Sequence, residues 1–154
     1  MRIGTGFDIH RLVPGRSLVL GGIKVPSDKG SLAHSDGDAL IHAVIDAILG
    51  ALALGDIGKL FPDTDPRYKD INSETLLLAV LSSIGSHSIV NVDATVILQA
   101  PKLGDLTFDM ASNLARILRI DPSNVSVKAK TAEHLLGELG SGDAVAVQAS
   151  VLID

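Results

Sequence analysis

Residues 39–54 read Ala-Leu-Ile-His-Ala-Val-Ile-Asp-Ala-Ile-Leu-Gly-Ala-Leu-Ala-Leu. A run this apolar is either a membrane span or a helix sealed inside a core. Its 16 residues fall short of the roughly 20 that a bilayer requires, and His42 and Asp46 interrupt it. The run is therefore expected to form a buried helix, capped by Ser35 or Asp36 and ending near Leu54, before Gly55.

On either side of this helix the pattern changes period. Residues 2–9 alternate as a strand, with Ile3, Thr5, Phe7 and Ile9 on one face. Leu18–Leu20 and Ile23–Val25 flank Gly21-Gly22, which predicts a bend or hairpin. Residues 55–72 read as a loop, with two prolines and several Asp. A second helix is expected from a cap at Asn72 or Ser73 through Ile84, stopping at Gly85. Strands follow at 90–98, 124–130 and 144–153. A third helix over 105–118 carries Leu106, Met110, Leu114 and Ile117 on one side. Helices and strands mix without strict βαβ alternation. That order predicts an α+β fold, a mixed sheet with helices packed on one face. No linker or repeat divides the chain, so residues 1–154 read as one domain.

Composition narrows the function. The 154 residues are 46% hydrophobic and 20% charged, with a net charge of −5, which excludes a disordered chain. Cysteine is absent, so any metal must use His, Asp or Glu. The acidic balance and 3% aromatic content argue against nucleic acid as partner, both for backbone binding and for base stacking. The N-terminus lacks signal-peptide architecture, and the default expectation is a soluble protein of a reducing compartment.

Chemistry-bearing residues fall in six places. Asp8 and His10 lie two apart on a strand and point to the same side. Asp38, His42 and Asp46 recur every fourth residue along the first helix, so they stack along one stripe. Such groups on an apolar helix are costly unless paired or bound to a cation. A polar stripe facing solvent is the plainer alternative. Asp8, His10 and His42 together offer two imidazoles and a carboxylate, the donor set of a catalytic zinc with one open position. Asp46 or Asp38 is then placed to orient the His42 ring. His34 and Ser35 precede a helix N-terminus, where anions are favoured. Residues 55–66, Gly-Asp-Ile-Gly-Lys-Leu-Phe-Pro-Asp-Thr-Asp-Pro, combine close-approach glycines with three carboxylates. Gln99–Leu103 and Lys128–Glu133 sit where strands end, where ligand loops commonly lie.

Taken together, Gly-x-Gly-Phe-Asp-Ile-His at 4–10, Ala-His-Ser-Asp-Gly-Asp at 33–38, His42, and the stretch 54–66 closely resemble the 2-C-methyl-D-erythritol 2,4-cyclodiphosphate synthase family, from Arg2 to the last strand. The resemblance implies a homotrimeric lyase of the non-mevalonate pathway of isoprenoid and terpenoid biosynthesis, with active sites between subunits. It would be cytoplasmic in a bacterium, or in the plastid stroma if a transit segment has been removed. The implied substrate is 4-diphosphocytidyl-2-C-methyl-D-erythritol 2-phosphate; the products are the cyclic diphosphate and CMP. Position by position, Asp8, His10 and His42 match zinc ligands and Glu133 matches the Mg²⁺ carboxylate. His34 and Thr131 match residues that stabilise the transition state. His34 again, with Ser35, Asp56, Ile57, Gly58, Phe61, Pro62, Asp63, Thr64 and Asp65, matches the side that holds the methylerythritol phosphate. Leu98, Gln99, Ala100, Pro101, Lys102, Leu103 and Gly104, with Lys130 and Ala132, match the cytidine-diphosphate side, which in the family comes from the neighbouring subunit.

Two departures from the family pattern stand out. Gly140-Ser141-Gly142-Asp143-Ala144 replaces the common Gly-Arg-Gly-Glu-Gly, which removes the basis for carrying over a phosphate contact or a prenyl diphosphate in the trimer cavity. Lys130 stands where many members have Thr and adds positive charge near the diphosphate. Two rival readings of the same residues remain at this level. One is a zinc hydrolase with Asp56 or Asp63 as general base. The other is a non-catalytic trimeric module with a structural metal, for which no fourth His or Cys is evident.

Overall fold

The computed structural model describes residues 1–154. The apolar run forms helix α1, Ala39–Ala51, in which every residue except Asp46 and Gly50 is buried. No helix of the protein is long and apolar enough to cross a membrane. The cap is Asp38, not Ser35 or Asp36. Gly37 takes a left-handed φ of 71°, so the chain turns into the helix only after it, and Asp38 Oδ1 accepts from the Ile41 N–H at 2.9 Å. The helix also ends short of Leu54, with Ala53 left-handed beyond it.

Strand β1 is longer than its alternation suggested, Arg2–Pro14. The row Ile3, Thr5, Phe7 and Ile9 faces outward, and the helix-facing row begins Gly4, Gly6. A Cβ on Gly4 would collide with the carbonyl oxygen of Ala47, and one on Gly6 with that of Ala43. These two glycines let α1 lie against the strand backbone itself. Close docking puts Asp8 and His10, the next residues of the same row, level with His42 one turn back along the helix.

β1 pairs antiparallel with β7, Ala144–Ile153, from Arg2↔Ile153 to Arg11↔Ala144. β5, Ile89–Leu98, lies on the other side of β7, antiparallel to it and parallel to β6, Val125–Lys130. A short strand the sequence did not signal, β4 at Lys29–Ser31, closes the other edge on Leu12–Pro14. The five-stranded order is β4-β1-β7-β5-β6. β2, Leu18–Leu20, and β3, Ile23–Val25, make the expected hairpin around Gly21-Gly22. It is pinned to α1 by Asp38, whose two carboxylate oxygens accept from Gly21 N at 2.8 Å and Gly22 N at 2.6 Å.

The segment read as loop at 55–72 contains α2, Ile57–Leu60, and a 3₁₀ turn at Pro66–Tyr68. Asp56 and Asp65 start these turns by accepting from Lys59 N and Arg67 N, a use of Asp that competes with ligand binding. α3, Ser73–Ser83, is capped by Asn72, and α4, Leu106–Leu118, buries Met110, Leu114 and Ile117. The main core lies between these helices and the sheet. Not every helix is on that side. Val147 belongs to the main core, whereas its neighbour Ala146 packs with Ala132, Leu139 and Ala144. Adjacent strand residues face opposite ways, so the segment 132–141, with α5 at Glu138–Ser141, covers the reverse face.

Candidate metal centre and its cavity

Asp8 and His10 on β1 and His42 on α1 converge, their ligand atoms all within 4.8 Å of one another. His10 Nδ1 lies 2.9 Å and His42 Nδ1 3.3 Å from Asp8 Oδ2. Although His10 Nδ1 is close, its geometry does not make a hydrogen bond, and both that atom and Asp8 Oδ2 are buried without a hydrogen-bond partner. Buried polar groups are rarely left so. Burial works to raise the Asp8 carboxyl, but the two imidazoles beside it outweigh burial and hold it far below the usual carboxylate range. Burial likewise works to lower His42, and the Asp8 carboxylate overrides it, so the ring titrates above its ordinary value. One carboxylate and two imidazoles with unspent donor atoms suit a divalent cation of zinc type.

The three residues of the helix stripe have different partners. Asp38 is fully buried and holds the β2–β3 hairpin. Asp46 is half-buried and accepts from Ile57 N at 2.8 Å, fastening α2 to α1. Burial, then the charges of Asp56 and Asp8, push the Asp46 carboxyl up, against that hydrogen bond. Neither Asp touches the His42 ring. Its Nε2 faces Ser73 Oγ at 2.9 Å and Ser35 Oγ at 3.3 Å. Ser73 was not singled out in the sequence, where it reads only as a cap candidate. A solvent-facing stripe is excluded, since His42 is 9% exposed and Asp38 not at all.

His10 and His42 border a cavity of about 560 Å³. Of the residues expected on the methylerythritol phosphate side, His34, Ser35, Ile57, Gly58, Phe61, Pro62 and Asp63 line it. Tyr68, Ile71, Leu32 and Leu76 do so too, and no pattern marked them. Phe61 and Tyr68 meet edge to face at 5.4 Å on one wall. His34 Nε2 lies 3.3 Å from the Asp65 carbonyl oxygen. Asp56, Thr64 and Asp65 stand outside the lining. The Asp65 carboxylate is taken by Arg67, with Nη2 at 2.7 Å, and this hydrogen-bonded pair holds it below its ordinary value.

The residues expected on the cytidine side form a second group, none of which borders that cavity. Leu98 and Leu103 belong to the main core and Ala132 to the reverse-face cluster. Only their backbone groups remain for a ligand. Ala100 and Pro101 line a separate cavity of about 530 Å³ with Lys29, Ser141 and Gly142. Lys102, Gly104, Lys130 and Glu133 are exposed. Gln99 Oε1 accepts from His134 N at 3.3 Å, joining the two loops, and the Thr131 hydroxyl donates to Glu133. Glu133 and His134 are left-handed, with φ of 52° and 59°, a conformation that costs of order 1–3 kcal/mol in a non-glycine residue. Ser141, in place of arginine, hydrogen-bonds Asp143 at 2.7 Å, and Lys29 pairs with the same carboxylate.

Residues 1–154 match the YgbB family. The 2-C-methyl-D-erythritol 2,4-cyclodiphosphate synthase of Nitrosospira multiformis is 53% identical over 154 residues, 99% of this chain and 86% of that protein. A solved structure of a 2C-methyl-D-erythritol-2,4-cyclodiphosphate synthase in its CDP-bound form superposes with a TM-score of 0.90 at 41% identity, over 99% of this chain and 100% of that one. The bifunctional IspDF of Campylobacter jejuni gives 0.93 at 42% identity, with this chain spanning 42% of its length. By fold, whole-length match and identity, the chain belongs to the YgbB family, that of the 2-C-methyl-D-erythritol 2,4-cyclodiphosphate synthases.

Proposed function

We propose that residues 1–154 form one synthase domain that converts 4-diphosphocytidyl-2-C-methyl-D-erythritol 2-phosphate to 2-C-methyl-D-erythritol 2,4-cyclodiphosphate and CMP, in the non-mevalonate route to isoprenoids. The observation that carries this reading is the meeting of Asp8, His10 and His42 at the wall of a cavity rimmed by the 57–63 stretch, in a chain that matches the family from end to end.

Asp8, His10 and His42 would hold zinc, and Glu133 would hold a magnesium ion shared with the substrate diphosphate. Cations so placed polarise phosphoryl oxygens and offset the mutual repulsion of the phosphates. The attacking oxygen belongs to the substrate's own 2-phosphate. It forms the new bond to the β-phosphorus as the bond from that phosphorus to the CMP oxygen breaks. No protein nucleophile or activated water is needed. What the chain contributes is orientation, worth up to about 7–11 kcal/mol in favourable intramolecular cases. Ser35, Gly58, Asp63 and their neighbours bind the methylerythritol phosphate. His34 and Thr131 donate to oxygens on which charge builds during transfer. The loop 98–104, with Lys130–Glu133, holds the cytidine diphosphate.

Residues of the methylerythritol side line one cavity and none of the cytidine side borders it, a separation that favours sites completed by a neighbouring subunit, in a homotrimer. So does the outward row of β1, where Ile3 is 71%, Phe7 53% and Ile9 51% exposed; large apolar side chains exposed together on one strand face suit an interaction surface. In a bacterium, the kind of source from which the Nitrosospira relative comes, such an enzyme would work in the cytoplasm. The test is turnover of the diphosphocytidyl substrate by the purified protein with Zn²⁺ and Mg²⁺. CMP and a cyclic diphosphate in equal amounts are expected. Release of inorganic phosphate would favour a hydrolase, and a monomer by light scattering would remove the shared site.

A further inference from the structure

Three side chains behind the metal centre form a chain of hydrogen bonds with a fixed direction. Ser73 is fully buried at the start of α3. Its hydroxyl donates to Asp36 Oδ1, and its backbone N–H donates to Asp36 Oδ2 at 3.0 Å. A carboxylate only accepts, and a hydroxyl has one proton to give. With that proton directed at Asp36, Ser73 Oγ meets His42 Nε2 at 2.9 Å with lone pairs alone. The ring nitrogen must then carry the hydrogen. Ser35 Oγ, 3.3 Å away and itself accepting from Gly37 N at 3.1 Å, sits beside the same N–H. The neutral ring is left with its lone pair on Nδ1, the atom 3.3 Å from Asp8 Oδ2. A lone pair facing a carboxylate is unfavourable unless a cation lies between them.

We infer that Asp36 and Ser73 are positioning residues that lock His42 in its Nε2–H tautomer and aim its Nδ1 lone pair at the bound metal ion. The inference rests on the metal-site reading above. It assigns to Ser73 a role in the reaction, transmitted through His42, beyond its place at the helix start. Outer partners of this kind typically change metal affinity 10–100-fold when removed. They also tie the start of α3 to α1. The chain Asp36–Ser73–His42 crosses from the loop before α1 to the first residue of α3 and back to α1.

Two measurements on the purified full-length protein decide it. In metal-free protein, at a pH where the ring is neutral, ¹⁵N shifts of His42, assigned by loss of the signal in His42→Gln, should show the Nε2–H form. An Nδ1–H ring in the unaltered protein overturns the proposal without any variant of Ser73. In competition with a chromophoric chelator, Ser73→Ala should bind Zn²⁺ about 10–100-fold more weakly, with a mixture of His42 tautomers in the metal-free form. Unaltered affinity and tautomer in Ser73→Ala also overturn it, since a residue that merely packs would shift neither. Failure of the unaltered protein to bind Zn²⁺ would instead break the metal-site reading, and the tautomer would still decide this one.

Discussion

The proposed metal half of the site and the proposed cytidine half are built on opposite terms. Asp8, His10 and His42 hang from a strand and a helix pressed backbone to backbone, with the main core around them. Gln99, Thr131, Glu133 and His134 sit on loops at the sheet's end, satisfied largely by one another. Packing places the first group, whereas the second is held by a few local bonds and two left-handed residues. Damage should therefore spread differently. A fault in the first half is felt by the ion, and a fault in layer spacing is felt there too. A fault in the second half should weaken substrate binding and leave the fold alone.

The sharpest break is His42→Ala. Turnover should fall by more than about 100-fold, beyond the loss expected for an outer partner, while circular dichroism stays that of the folded protein. Retained turnover would separate the cluster from the chemistry altogether.

Asp38 supplies the next largest effect, on stability. Burial pushes its carboxyl up to about 6, against the lowering influence of the Ile41, Gly22 and Gly21 N–H groups. The folded protein thus binds this proton more tightly than the unfolded chain does, for which the ordinary value is about 3.9. The associated stability is fully present below about pH 3.9 and is lost as pH rises through about 6, a change of about 3 kcal/mol. The difference in unfolding free energy between the unaltered protein and Asp38→Asn should trace that curve between pH 4 and 7. A flat difference would place Asp38 outside the titrating groups.

Gly6→Ala tests layer spacing. A methyl group there meets the Ala43 carbonyl, so urea denaturation should show a loss of about 1–3 kcal/mol, accompanied by weaker Zn²⁺ binding as α1 is pushed off β1. An equal loss of stability with unchanged Zn²⁺ binding would mean that the ligands follow the strand rather than the spacing. The smallest expected effect is in the other half. Gln99→Ala removes the acceptor of His134 N, worth about 1 kcal/mol. It should raise KM roughly fivefold, that energy expressed as affinity, with kcat and Tm unchanged.

Local patterns were legible in the sequence wherever neighbours along the chain decide the outcome. β7 runs from Ala144 to Ile153 as its run of apolar residues suggests, Asn72 caps α3, and the two-residue period puts Asp8 and His10 on one side. What escaped depends on distant contacts. The alternating row Ile3, Phe7, Ile9 looks like a core face, but the helix occupies the glycine side because only there can two backbones touch. Asp38 and Asp46 share helical spacing with His42 yet bind backbone groups of other elements. Ser73 reaches His42 across 31 positions, a relation no periodicity encodes. The reverse-face position of α5 follows from Ala144 and Ala146 being small enough to receive Leu139, which a strand pattern alone does not reveal.

The intimate seam between β1 and α1 also ties ion capture to folding. His10 and His42 are remote along the sequence, and their donor atoms become neighbours only once the layers have closed. An ion held there binds the folded chain and not the unfolded one, so each tenfold excess of free ion over its dissociation constant adds about 1.4 kcal/mol of thermodynamic protection. On the proposed reading, a cell short of that ion would lose both the activity and part of the protein's resistance to unfolding.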